Sequence, residues 1–153
     1  MGIRLEGQEL DDYLGSALTL ILATTRKSGE PFMTPLWFVW KDGSFYTDTI
    51  GKSAKVQHIK RDPRVCCMVE DGERWVDLRA VIANCSAEIL SDEAVIESYV
   101  LAREKKYEKY KRDDSSVPDV TRKHYDQARA YLKLTPRPGE MRSWYNRKIR
   151  ART

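Results

Sequence analysis

Three tight reversals punctuate the first half of the chain: Lys27-Ser28-Gly29-Glu30, Lys41-Asp42-Gly43 and Asp71-Gly72-Glu73. Each has hairpin length and contains glycine, and each separates runs rich in β-branched and aromatic residues. Reversals this short join antiparallel neighbours, because a parallel crossover needs a far longer connection. Residues 17–25 (ALTLILATT) are apolar on both faces apart from threonines, which suits a strand inside a closed or double-layered sheet. Residues 31–40 return with Phe32, Leu36, Phe38 and Trp40, interrupted by Pro35. Proline cannot donate to a ladder, so Pro35 marks an edge or a bulge, a place where ligand walls are often built. Further strands are expected over residues 44–47, 65–70 and 74–90, then over 128–135 and 141–145 around a turn at 136–139. The pattern predicts a mainly β protein with flanking helices, a small antiparallel barrel of six or so strands in a single domain spanning 1–153.

Helical spacing appears in three places. Leu10, Tyr13 and Leu14 share a face opposite Glu9, Asp11 and Asp12, which predicts a short lid helix over residues 5–14. From a capping Ser91, the residues Ile96, Tyr99, Val100, Tyr107 and Tyr110 recur at helical intervals through residue 111. The run Arg103-Glu104-Lys105-Lys106, with pairs such as Glu108 and Arg112, reads as a solvated face. Residues 113–120 (DDSSVPDV) form a polar loop, the best candidate for a mobile segment, and 121–126 add a helical turn or two. The whole makes a helical insertion at about 92–126. The basic tail, 146–153, is expected to fray.

The third helix follows the stretch FYTDTIGKSAKVQHIKRDPRV, residues 45–65. Here a strand ends in hydroxyls and cations and runs into a short amphipathic helix, which must stop at Asp62 because Pro63 disfavours the α conformation before it. Thr47 and Thr49 supply hydroxyls, Lys52 and Lys55 supply ammonium groups, and Ser53 stands where it can cap the helix or donate to an anion. Together they can cradle one phosphoryl group. The same residues, taken alone, also suit an N-cap flanked by solvated lysines.

Several function classes fall away. The 27 Lys+Arg against 23 Asp+Glu leave a net charge of only +4, too small to demand nucleic acid and compatible with a small anionic ligand. Two histidines, His58 and His124, lie too far apart in sequence for a zinc pair, so no metal is expected. No GxSxG, GxGxxG or GxxxxGK[ST] motif is present. Cys66, Cys67 and Cys85 form no spaced pair, and adjacent residues of a strand face opposite ways, which suggests reduced thiols. No apolar run resembles a leader or a bilayer span, so a cytoplasmic protein without a membrane partner is expected.

The order LILATTRKSGEPFMTPLWFVWKDGSFYTDT followed by GKSAKVQHIKRDPRVCCMVEDGERWVDLRAVIANCSAEIL resembles the pyridoxamine 5'-phosphate oxidase-like, FMN-binding split-barrel superfamily. The likeness covers residues 18–90 well and the last strands loosely. It implies a six-stranded split barrel that forms a homodimer, with a flavin at each of two interface sites. Carried over by position, Tyr46 and Thr47 lie by the ribityl chain and phosphate, and Ser53 and Lys55 hold the phosphate. Met33, Thr34, Pro35, Leu36 and Trp37 pass along the ring with backbone amides facing it, and Trp144 reaches the flavin from the partner. No side chain is demanded as acid or base, since the cofactor carries the hydride chemistry.

The departures narrow the substrate. Ala54 stands where the family's oxidases carry an arginine, no arginine lies near Met33, and no Arg-x-His follows Trp144. Missing charge-assisted contacts weaken binding of a phosphorylated vitamin B6 substrate. The resemblance therefore implies an FMN-dependent oxidoreductase acting on another small molecule, with a reductase using the deazaflavin coenzyme F-420 as the first alternative and a non-catalytic flavin-binding protein as the second.

Overall fold

The computed structural model describes residues 3–111 and 113–149. Its strands are β1 Leu20–Thr25, β2 Pro31–Leu36, β3 Val39–Lys41, β4 Ser44–Ile50, β5 Arg64–Asp71, β6 Arg79–Ile89 and β7 Arg129–Tyr145. They form one antiparallel sheet in the spatial order β2-β1-β5-β6-β7-β4-β3. The two edge strands, β2 and β3, are consecutive in sequence and joined only by Trp37 and Phe38. Three residue steps reach at most about 11 Å. The sheet therefore has to curl until its edges nearly meet, giving a barrel split between β2 and β3.

Seven strands replace the six expected. The run over residues 31–40 is two strands, because the chain leaves one edge at Leu36 and enters the other at Val39. At the other end, the expected strands 128–135 and 141–145 are one, Arg129–Tyr145, since β6 is long enough to pair with both halves. A register shift opposite Ala83 and Cys85 and a φ of 74° at Gly139 replace the expected turn by a bulge. Pro35 lies on edge strand β2, opposite Ile21, where its missing N–H is tolerated. The reversal at Asp42 and Gly43 has positive φ at both residues, 49° and 74°, the twist that matches a two-residue hairpin.

The core is one apolar cluster inside the curl, with Leu14, Leu20, Leu22, Phe38, Phe45, Val69, Val81, Leu132 and Leu134 essentially inaccessible. Helix α1, Gly7–Ser16, closes onto it through Tyr13 and Leu14. Helix α2, Ala54–Arg61, follows β4 and ends before Pro63, with Asp62 in extended conformation. Helix α3, Glu93–Lys106, is capped by Asp92, whose carboxylate accepts from Ala94 and Val95 N–H, rather than by Ser91. Asp is as good a cap as Ser, and the register of apolar residues selects it. Residues 113–120 hold a 3-10 turn at Asp114–Ser116 and lead into α4, Asp119–Tyr125. The expected pair between Glu108 and Arg112 lies outside the described residues. The tail does not fray over its described part: Asn146 is buried and donates to the Trp75 carbonyl at 2.7 Å. No described helix is long and apolar enough to cross a membrane.

Candidate functional site

The end of β4 and the start of α2 form the cradle. Gly51 donates to the Ala128 carbonyl at 2.8 Å, and a Cβ at this position would lie 3.1 Å from that oxygen, so glycine lets the turn press against the chain entering β7. Ser53 occupies the N-cap position of α2 without capping it. Its hydroxyl is buried and has no hydrogen-bond partner among the described residues. Buried polar groups are rarely left so, because the orphaned group costs free energy comparable to a lost hydrogen bond. Two residues on, Lys55 donates to the Thr49 hydroxyl at 3.1 Å and meets no carboxylate among the described residues. Burial and then the Arg129 charge push its ammonium below the ordinary lysine value. Lys52 is exposed and unpaired among the described residues. An orphaned donor at a helix N-terminus, beside a partly desolvated cation facing another cation, fits an anion such as a phosphate.

Strand alternation divides the remaining β4 residues. Thr47 is fully buried and its hydroxyl donates to the Trp37 carbonyl at 2.6 Å, so it ties β4 to the link between the edge strands. Tyr46 and Asp48 point to the other face, where Tyr46 lies against Tyr99 of α3 with ring centroids 6.4 Å apart. Asp48 is the hub of that face. It accepts from the Tyr99 hydroxyl at 2.5 Å and from Arg103 at 2.7 Å, and its second oxygen takes Arg129 at 2.6 and 2.8 Å. Burial pushes the carboxyl up, but these hydrogen bonds and the two guanidinium charges outweigh it and hold Asp48 below its ordinary value.

Arg103 also pairs with Glu104, which takes Lys111 in turn, so among the described residues three cations meet two carboxylates and the hub carries an excess positive charge. It forms one wall of a cavity of about 780 Å³ whose other walls include Pro35, Leu36 and Trp37 from the β2 end and Tyr110 and Lys111 beyond α3. That size suits a small organic ligand. Along β2, Met33 is exposed, and Thr34 carries a second buried hydroxyl without a partner among the described residues. Since β2 is an edge, the amides turned away from β1 have no sheet partner. Within one chain Trp144 is not brought to the cradle. It pairs with Ala80, fourteen residues along β7 from Ala130, the partner of Thr49, on the order of 40 Å of extended chain.

Sequence reasoning missed Asp48, Arg103, Arg129, Lys106 and Tyr107. An acid inside the otherwise uncharged and largely buried run Ser44–Ile50 is the signal that could have found the hub, because a buried carboxylate demands cations. The basic run at 103–106 is not a solvated face: Arg103 turns in to Asp48, and Lys106 donates to the Phe38 carbonyl at 3.0 Å. His58 is structural, its Nδ1 sharing a hydrogen bond with the Thr24 hydroxyl at 2.9 Å. All three cysteines are free thiols, Cys67 buried and Cys66 half-buried on the other face.

Comparison with known proteins agrees with this architecture. A conserved hypothetical protein of Mycobacterium tuberculosis superposes with a TM-score of 0.78 at 26% identity, over 100% of this chain and 94% of that one. A haem storage protein of Vibrio cholerae (TM-score 0.70, 15% identity, 94% and 99% of the two chains) and an F-420 reductase (TM-score 0.62, 22% identity, 83% and 92%) share the fold. No curated protein matches the sequence. The family model for pyridoxamine 5'-phosphate oxidase matches residues 7–143, nearly the whole chain, and the protein belongs to that family.

Proposed function

We propose that the protein is a flavin-dependent oxidoreductase that binds FMN by its phosphate in the Ser53–Lys55 cradle and works as a cytoplasmic homodimer on a small-molecule substrate. The observation that carries this reading is the pairing of a buried Ser53 hydroxyl with a Lys55 ammonium, the first without a hydrogen-bond partner and the second without a carboxylate among the described residues. A phosphate oxygen supplies the acceptor that Ser53 lacks and the counter-charge that Lys55 lacks among the described residues, and Lys52 and the Arg129 charge add to the attraction. A bound flavin supplies hydride or electron transfer. The chain's own part is to bind and orient. The Met33 amide, on the same side of β2 as Pro35 and turned away from β1, donates toward the ring, and Leu36 and Trp37 shield it from water. Pro35 itself offers no N–H there.

Ala54 is exposed at the first position of α2 and adds no second cation to the cradle, which argues against vitamin B6 oxidation. The excess cation around Asp48 favours one further reading, a reductase using deazaflavin coenzyme F-420, whose tail carries carboxylates beyond the phosphate. Mass spectrometry of the small molecule that copurifies, followed by fluorescence titration with FMN and with F-420, separates the two. Tighter F-420 binding reverses the order, and a colourless protein that binds neither overturns both. Bound cofactor that is never turned over with any reductant and acceptor points to a flavin carrier instead.

A further inference from the structure

Trp37 and Phe38 are the whole connection between the two edges of the sheet, and the end of α3 rests on them. Tyr107, which closes α3, is 1% exposed. Its phenol oxygen accepts the Phe38 N–H at 2.9 Å, and the phenol hydrogen has the Leu18 carbonyl at 2.8 Å and the Phe38 carbonyl at 3.0 Å within reach. Lys106 donates to the same Phe38 carbonyl, its ammonium 4.0 Å over the Phe38 ring. The insertion thus grips the link by its backbone on both sides of one residue, Phe38.

The Tyr107 ring also lies flat against the Trp37 indole, with centroids 4.2 Å apart and planes 8° from parallel. Trp37 is nevertheless 44% exposed and lines the 780 Å³ cavity. One face of the indole is covered and the other is open. An exposed tryptophan ordinarily keeps rotamer freedom, and ordering it on binding weakens the complex. Here the backbone clamp and the stack have already ordered it. A rigid indole with one free face is a platform for a planar conjugated ring.

We propose that Tyr107 is a positioning residue, fixing Trp37 so that the open face of the indole stacks on the conjugated ring of the bound flavin or deazaflavin. This rests on the cofactor reading above and assigns to the helical insertion a role in tuning the cofactor. Stacking on an electron-rich indole favours the electron-poor oxidised ring over the reduced one. It therefore lowers the midpoint potential, quenches ring fluorescence and adds a long-wavelength absorbance shoulder.

The test titrates FMN into wild type, Trp37→Leu, Tyr107→Leu and Tyr107→Phe, reading fluorescence quenching, the absorbance shoulder and the midpoint potential. Trp37→Leu is expected to lose the shoulder and most of the quenching and to raise the potential. Tyr107→Leu should move all three the same way, although its side chain does not touch the ligand. Tyr107→Phe keeps the stack and should fall between Tyr107→Leu and wild type. If Tyr107→Leu does not fold, Trp37→Leu decides, because an exposed side chain is not needed for folding: a wild-type shoulder, quenching and potential in that variant overturn the inference. The same holds for a folded Tyr107→Leu with wild-type readings. Wild-type protein that binds neither FMN nor F-420 overturns the cofactor reading itself, an outcome distinct from both.

Discussion

Lys55 donates to the Thr49 hydroxyl at 3.1 Å, and among the described residues that is its one polar partner. A cation this close to the sheet, with burial and Arg129 both opposing its charge, is stabilised most by an arriving anion. Lys55→Ala is therefore expected to weaken FMN binding by about 1.5–3 kcal/mol, as for one charge-assisted contact. Unchanged affinity in a titration means that the phosphate sits elsewhere.

Ser53 gives a prediction of opposite sign in the free and bound states. Its hydroxyl is buried without a partner, so Ser53→Ala should leave the melting temperature of the ligand-free protein unchanged or raise it. FMN affinity should nonetheless fall by about 1 kcal/mol. A cap-like loss of stability in the ligand-free variant contradicts the anion-donor role.

Asp48 joins β4 to α3 and β7 through Arg103 and Arg129, both less than a third exposed. Asp48→Asn removes the carboxylate that Arg129 pairs with and leaves Arg103 only Glu104, and should destabilise the fold by about 3 kcal/mol in urea denaturation at neutral pH. The sign in acid follows from the depressed Asp48 value. The stabilisation is present above the ordinary value of 3.8 and is lost as pH falls through the lower folded-state value. The gap between wild type and variant should therefore close in acid, and a constant gap contradicts the ionic role.

Lys106 titrates the other way. Burial pushes its ammonium from 10.5 down to about 8. Between those values the unfolded chain binds more protons than the folded one, so stability should gain from Lys106 as pH rises from about 8 to 10.5. Lys106→Met should remove that gain and flatten the curve of stability against pH over this window. A wild-type slope in the variant contradicts the assignment.

Trp144 lies far along β7 from the cradle of its own chain, and the proposed homodimer has it serve the partner's site. Mixing Lys55→Ala with Trp144→Ala protomers should then regenerate one intact site in each mixed dimer and restore FMN binding of wild-type affinity, which neither variant shows alone. No gain on mixing means that Trp144 does not serve a partner's site.

Much of the fold was legible because turns and periodicity are local. Gly29, Gly43 and Pro63 announce their reversals and stops within a few residues, and Pro35 announces an edge. The break at Trp37 and Phe38 was not legible: both residues are good strand formers, and only closure of the sheet demands that the chain leave one edge there and join the other. The fused β7 was hidden for a similar reason, since pairing along β6 overrides the turn chemistry of Pro136 and Gly139. Ser53 and Lys55 stood out because hydroxyl and cation are adjacent in sequence. Asp48, Arg103, Arg129 and Tyr107 did not, because their partners lie 51 to 89 residues away.

Comparing FMN with riboflavin on the same dialysed protein isolates the phosphate most directly, because the two ligands differ only in that group. A phosphate held by Ser53 and Lys55 predicts that FMN binds at least tenfold more tightly, about 1.4 kcal/mol or more, and that Lys55→Ala removes most of the difference. Equal affinity for the two ligands, or a preference for FMN that survives Lys55→Ala in full, would contradict it.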